Sequence, residues 1–217
     1  LPGIASDLRH RLKKIRTSQN DWTAVATMQT EEFVRYPSEK TFIECQKANT
    51  KTKTWPKVRE HLLDYLEKGV LPWQQKGWPL GKSNQTKPDA SYRNTFPMTD
   101  VLIDIAILEK KPDRVLFWYD QLQNNKRSWV GTGDDRIATA IQDHAPERSM
   151  SIWKVIAEGL INQTKPSAYE QAASYLRKAE KIMKHLNKES EWNQYLNDLR
   201  EKHAKKRRFI EILDKSD

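Results

Sequence analysis

Residues 167–215 constrain the fold more than any other part of this chain. Apolar residues recur there at steps of three and four. The first stretch carries Tyr169, Ala172, Ala173, Leu176, Ala179, Met183 and Leu186. The second carries Trp192, Tyr195, Leu196 and Leu199, then Ile210 and Leu213. That spacing gathers each set on one face of a helix. A pair of long helices is therefore expected, with a tight turn at 188–190. The small residues Ala172 and Ala173 let a neighbouring helix approach closely, and aromatics fill the space beside them. A helical repeat packs in this way.

The same periodicity runs upstream. Asp21 is expected to cap a helix bearing Trp22, Val25, Ala26 and Phe33, which Tyr36-Pro37 ends. Ser38, with Thr41 three residues on, is expected to cap the next, carrying Phe42, Ile43 and Cys45. Thr54 is expected to cap a third, with Pro56 in its first turn, and Gly69 to close it. Further helices are read from Leu102, from Val115, from Ile137 and from Pro146. Segments led by tryptophan recur weakly, as "TWPKVREHLLDYL" (54–66) and "SIWKVIAEGLI" (151–161). The expected fold is all-α: antiparallel helical hairpins stacked as an α-solenoid, or tetratricopeptide-like array. Residues 1–20 form a basic N-terminal helix or tail, with Leu8, Leu12 and Ile15 facing one way. Residues 21–217 form the helical-repeat domain. One long Trp/Pro-rich loop interrupts it at 70–97, and the tip of that loop, near 82–92, is expected to be mobile.

Composition agrees with a helical array. Seven glycines are few for a sheet protein, which needs many turns. An apolar fraction of 37% with 31% charged residues would fit disorder, were it not for eight Trp, seven Tyr and five Phe. An elongated array reconciles the two, because it exposes more surface per residue. The single cysteine, Cys45, cannot form an internal disulfide or a multi-cysteine metal site, and it fits a reducing compartment. The sequence holds no apolar run of about 18 residues and no secretory pattern. A cytoplasmic protein without a membrane span is expected. The chain opens on Leu1 and is read as part of a longer protein.

No catalytic constellation is visible. The five histidines show no metal-ligand spacing. "GTGDDR" (131–136) lacks the lysine of a phosphate loop and reads as a turn ending in a cap near Asp134. Cys45 sits on an apolar helix face with no neighbouring base. Neither an enzyme, nor a cofactor, nor a metal, nor a small-molecule substrate is expected. Two kinds of contact residue remain. The basic run "REKHAKKRR" (200–208) offers Arg200, Lys202, Lys205, Lys206, Arg207 and Arg208 as phosphate contacts. Together with the basic N-terminus and a net charge of +9, it fits a nucleic-acid-associated module. The loop tryptophans Trp73, Trp78 and Trp129 are candidate contacts for a protein or peptide partner. A non-catalytic scaffold or protein-interaction domain is the preferred reading, and the phosphate-binding module is the alternative.

Three segments carry a resemblance. "LIDIAILEKKPDRVLFWYD" (102–120), "HAPERSMSIWKVIAEGLI" (144–161) and residues 168–213 resemble the helical C-terminal region of prokaryotic SWIM zinc-finger proteins. The likeness spans roughly residues 20–215. It implies a tetratricopeptide-like region that follows a zinc module in the family. That module rests on a CxC…CxH pattern, which this chain does not contain, so no zinc ligand is carried over. The resemblance implies a cytoplasmic scaffold region.

Overall fold

The computed structural model describes residues 2–83, 95–124 and 131–214. Among them every regular element is helical and there is no strand, so the all-α expectation holds. The chain divides into two compact units, Leu1–Glu109 and Lys110–Asp217.

The N-terminal unit contains α1 (Pro2–Ser18), α2 (Trp22–Arg35), α3 (Glu39–Lys51), α4 (Trp55–Lys68) and α5 (Thr99–Leu108), with a short 3-10 turn at Pro72–Gln74. Local chemistry sets the helix ends. The Asp21 side chain accepts from the Ala24 N–H at 3.1 Å. Ser38 and Thr41 form a reciprocal capping box. Gly69 closes α4 in the left-handed region, φ 79°, with its N–H on the Tyr65 carbonyl. Thr54 takes the N-cap position of α4 as expected, but its side chain makes no capping hydrogen bond. Its hydroxyl donates instead to Asn49 Oδ1 at 2.9 Å, because the fully buried Asn49 needs a donor there. The core is aromatic. Phe33 meets Phe42 at 5.6 Å between ring centres, Phe42 meets Trp55 at 5.1 Å, and Tyr65 meets Phe96 at 5.5 Å. Tyr65 donates to the Val34 carbonyl at 3.1 Å, and burial pushes its pKa up to about 12. Cys45 lies in the same core, its thiol also pushed up to about 12 by burial. An inert packing role follows.

The C-terminal unit contains α6 (Pro112–Asn124), a 3-10 turn at Thr132–Asp134, α7 (Asp135–Ile141), α8 (Pro146–Ile161), α9 (Pro166–His185), α10 (Glu189–Lys202) and α11 (Arg207–Asp214). Helices α8 and α9 make the most extensive packing, and the small side chains Ala168, Ala172, Ala173 and Ala179 are all buried. Asp134 takes the N-cap position of α7 as expected, without a side-chain capping bond; its carboxylate accepts instead from the Gly131 N–H at 3.1 Å and tightens the preceding turn.

The last expected helix is two. It breaks at 203–206, where the Lys206 N–H donates to the His203 carbonyl at 2.8 Å. The break lets α11 fold onto α9, so that Phe209 reaches Tyr169, 5.7 Å between ring centres, and His203 at 5.8 Å. Phe209 is fully buried and Ile210 only partly, so Phe209 takes the core position that periodicity gives to Ile210. The proposed mobile loop tip falls mostly within 84–94, and Trp129 within 125–130, outside the described residues.

Candidate functional site

A broad concavity in the C-terminal unit is built by three helices. Pro146 starts α8, where its missing N–H costs nothing and its ring fixes the turn out of α7. Along α9, Lys178, Lys181, Ile182 and His185 stand at i, i+3, i+4 and i+7, on one side of the helix. Opposite them lie Thr139, Gln142 and Asp143, from α7 and the turn after it. The space enclosed is about 570 Å³, with Pro146, Trp153, Ile182 and Leu186 as its apolar lining. A second hollow of about 400 Å³ shares Pro146 and Leu186 and runs on past His144, Glu147 and Arg148. The two make one groove along the turn between α7 and α8.

Hydrogen bonds and ion pairs link its walls. The Trp153 indole N–H donates to Asp135 Oδ1 at 2.7 Å, and Lys178 Nζ donates to the same oxygen at 2.6 Å. The Lys178 ammonium lies 5.4 Å from the Trp153 ring centre and 5.0 Å from that of Tyr175. Arg148 pairs with Asp120 at 2.6 Å, His144 with Asp113 at 2.7 Å, and Lys188 with Glu147 at 2.7 Å. The Lys188 hydrogen bond holds Glu147 below the usual carboxylate range. Lys181 and His185 are exposed on the rim, with no hydrogen-bond or ion-pair partner among the described residues. The groove thus offers an apolar lining and, in Thr139, Gln142, Asp143, Lys181 and His185, polar side chains without a partner among the described residues.

The basic run at 200–208 is differently placed. The break in the helix splits it between α10, the turn and α11. Arg200 Nε pairs with Asp214 at 3.1 Å, Lys202 with Glu158 at 2.5 Å, and Arg208 with Glu211 at 3.0 Å. Lys206 donates to the Ile161 carbonyl at 3.0 Å and so satisfies the end of α8. Lys205 and Arg207 are the cations of this run that are exposed without a partner among the described residues. Comparison of the chain with family models, with curated proteins and with solved structures finds no match.

Trp73 and Trp78 are both half-buried in the N-terminal unit. Trp78 stands edge-on to His61 at 5.5 Å and donates to the Gly81 carbonyl at 3.3 Å. Leu80 packs on Val25, Ala26 and Ala48. These contacts tie the described start of the loop to the helices. Among the described residues, no three His, Cys, Asp or Glu gather where they could hold a metal ion, and no helix is long and apolar enough to cross a membrane.

One cluster has no counterpart in the sequence reading. Lys154 of α8 lies over the Tyr195 ring at 3.9 Å and near that of Trp192 at 5.6 Å, and burial lowers its pKa. Trp192 Nε1, Tyr195 Oη and His203 Nε2 are buried without a hydrogen-bond partner among the described residues. The groove residues were missed too. Their only sequence signal is the spacing 178, 181, 182 and 185, which any surface helix can show.

Proposed function

We propose that this chain is a non-catalytic helical scaffold that binds an extended segment of a partner protein in the α7–α8–α9 groove. The groove itself carries this reading: its apolar lining by Pro146, Trp153, Ile182 and Leu186 and its uncommitted polar rim suit a chain with alternating side chains. The resemblance to the helical region of prokaryotic SWIM zinc-finger proteins supports it. On that reading the chain is a tetratricopeptide-like part of a larger cytoplasmic protein. The test is selection from a displayed peptide library on the full chain. Enriched peptides should bind the wild type and lose about tenfold or more in affinity to Ile182→Glu and to the exposed Lys181→Glu. No enrichment, or peptides indifferent to both substitutions, would contradict it.

A second reading, phosphate binding at the basic run, is favoured by the free cations Lys205 and Arg207. Four of their neighbours already have intramolecular partners, which leaves few charges to displace counterions. Labelled DNA and RNA titrated at low salt decide this reading. Binding that weakens steeply with salt and falls with Lys205→Ala and Arg207→Ala supports it, and absence of binding at low salt removes it.

A further inference from the structure

Helix α1 is turned the wrong way out for a helix whose only role is packing. Its side toward α2 is mostly polar: Arg9 and Lys13 are half-buried in a hollow shared with Glu31, Glu32 and Arg35, which Leu12 and Met28 also line. Its apolar stripe is largely open to solvent, with Leu8 61% exposed, Ile15 52%, and Leu12, at the edge of that hollow, 45%. A surface helix ordinarily buries the apolar side and exposes the charged one. The stripe is also narrow. Leu8, Leu12 and Ile15 stand at i, i+4 and i+7, the d, a, d seam of a heptad repeat. In that register the residues flanking the seam are Arg9 and Arg16 at e and Arg11 at g, and all are arginine.

We propose that α1 is a docking helix for an acidic, heptad-patterned helix of a partner protein, a site separate from the groove. The seam supplies knobs for one facing helix, and the flanking charges choose which helix that is. Arg11 is exposed and has no partner among the described residues. Arg16 shares only a surface pair with Asp21, at 3.3 Å, which a partner carboxylate replaces at little cost. Guanidinium groups bind carboxylates in a two-pronged geometry, so glutamates at the partner's e and g positions complement this edge. A second copy of this chain would set arginine against arginine. A bilayer surface calls for a broad apolar face, and this one is a single seam.

The test uses the full chain and synthetic helical peptides built of leucine heptads, one with Glu and one with Lys at every e and g position. Fluorescence anisotropy should show binding of the Glu peptide, with the Lys peptide at least about tenfold weaker. Leu12→Asp should lower the affinity for the Glu peptide by about tenfold or more. Arg11→Glu, a wholly surface change, should weaken it several-fold and narrow the gap between the peptides, whereas Ile182→Glu should leave both unchanged. Far-UV circular dichroism of each variant confirms the fold. Equal binding of both peptides, or no binding of either, overturns the proposal. So does co-sedimentation with phosphatidylglycerol vesicles without peptide binding, or a dimer of the chain alone that Leu12→Asp dissolves.

Discussion

Gly69 shows how much one residue can decide. Its φ of 79° is left-handed, and a Cβ built there would meet Phe96 Cδ2 at 2.7 Å. Gly69→Ala combines backbone strain with a clash against a ring already packed on Tyr65. It should destabilise the N-terminal unit by about 2 kcal/mol or more, read from urea midpoints at unchanged m-value. His203 acts through its proton. Burial first, then Lys206 and Lys202, pushes its pKa below the ordinary histidine range. The unfolded chain therefore binds a proton at His203 at a pH where the folded chain does not, and stability rises with pH through that window. Lowering the pH below about 6.5 should cost stability at this position. His203→Phe should show a flatter decline between about pH 7 and 5 than wild type in thermal unfolding. A parallel decline in both proteins would show that His203 contributes nothing to it.

At the scale of the helix, what is local was legible and what is tertiary was not. The Asp21, Ser38 and Gly69 ends follow from side-chain and backbone chemistry within four residues. The break at 203–206 has no such cause, since Ala204, Lys205 and Lys206 all favour helix. Helix α10 stops because Phe209 is drawn to Tyr169 and because Lys206 meets the end of α8. Both are contacts made across forty or more residues of sequence, and periodicity from Leu199 to Leu213 reads straight through them. The groove stayed hidden for the same reason: three separate segments line it, and none is unusual alone. At eight residues, α11 cannot hold its shape without that docking. Phe209→Ala should cost about 3 to 5 kcal/mol of unfolding free energy and release amide protons in 207–214 to fast exchange. Ile210→Ala should cost clearly less. Equal costs would mean that α11 docks through its other face.

At the scale of the molecule, chemistry and surface point the same way. Some of the side chains that could react are occupied: Cys45 is buried in a core, His61 bonds Gln75 at 2.6 Å, and His144 pairs with Asp113. Uncommitted groups lie at the groove rim, along the α1 seam, at Lys205 with Arg207, and in the buried cluster of Trp192, Tyr195 and His203. The most direct measurement is hydrogen exchange by mass spectrometry on the full chain, with and without a library-selected peptide at saturating concentration. Protection of amides at the end of α7, the start of α8 and the last two turns of α9 is the predicted result. Protection confined to 200–208, or none anywhere, would contradict the account.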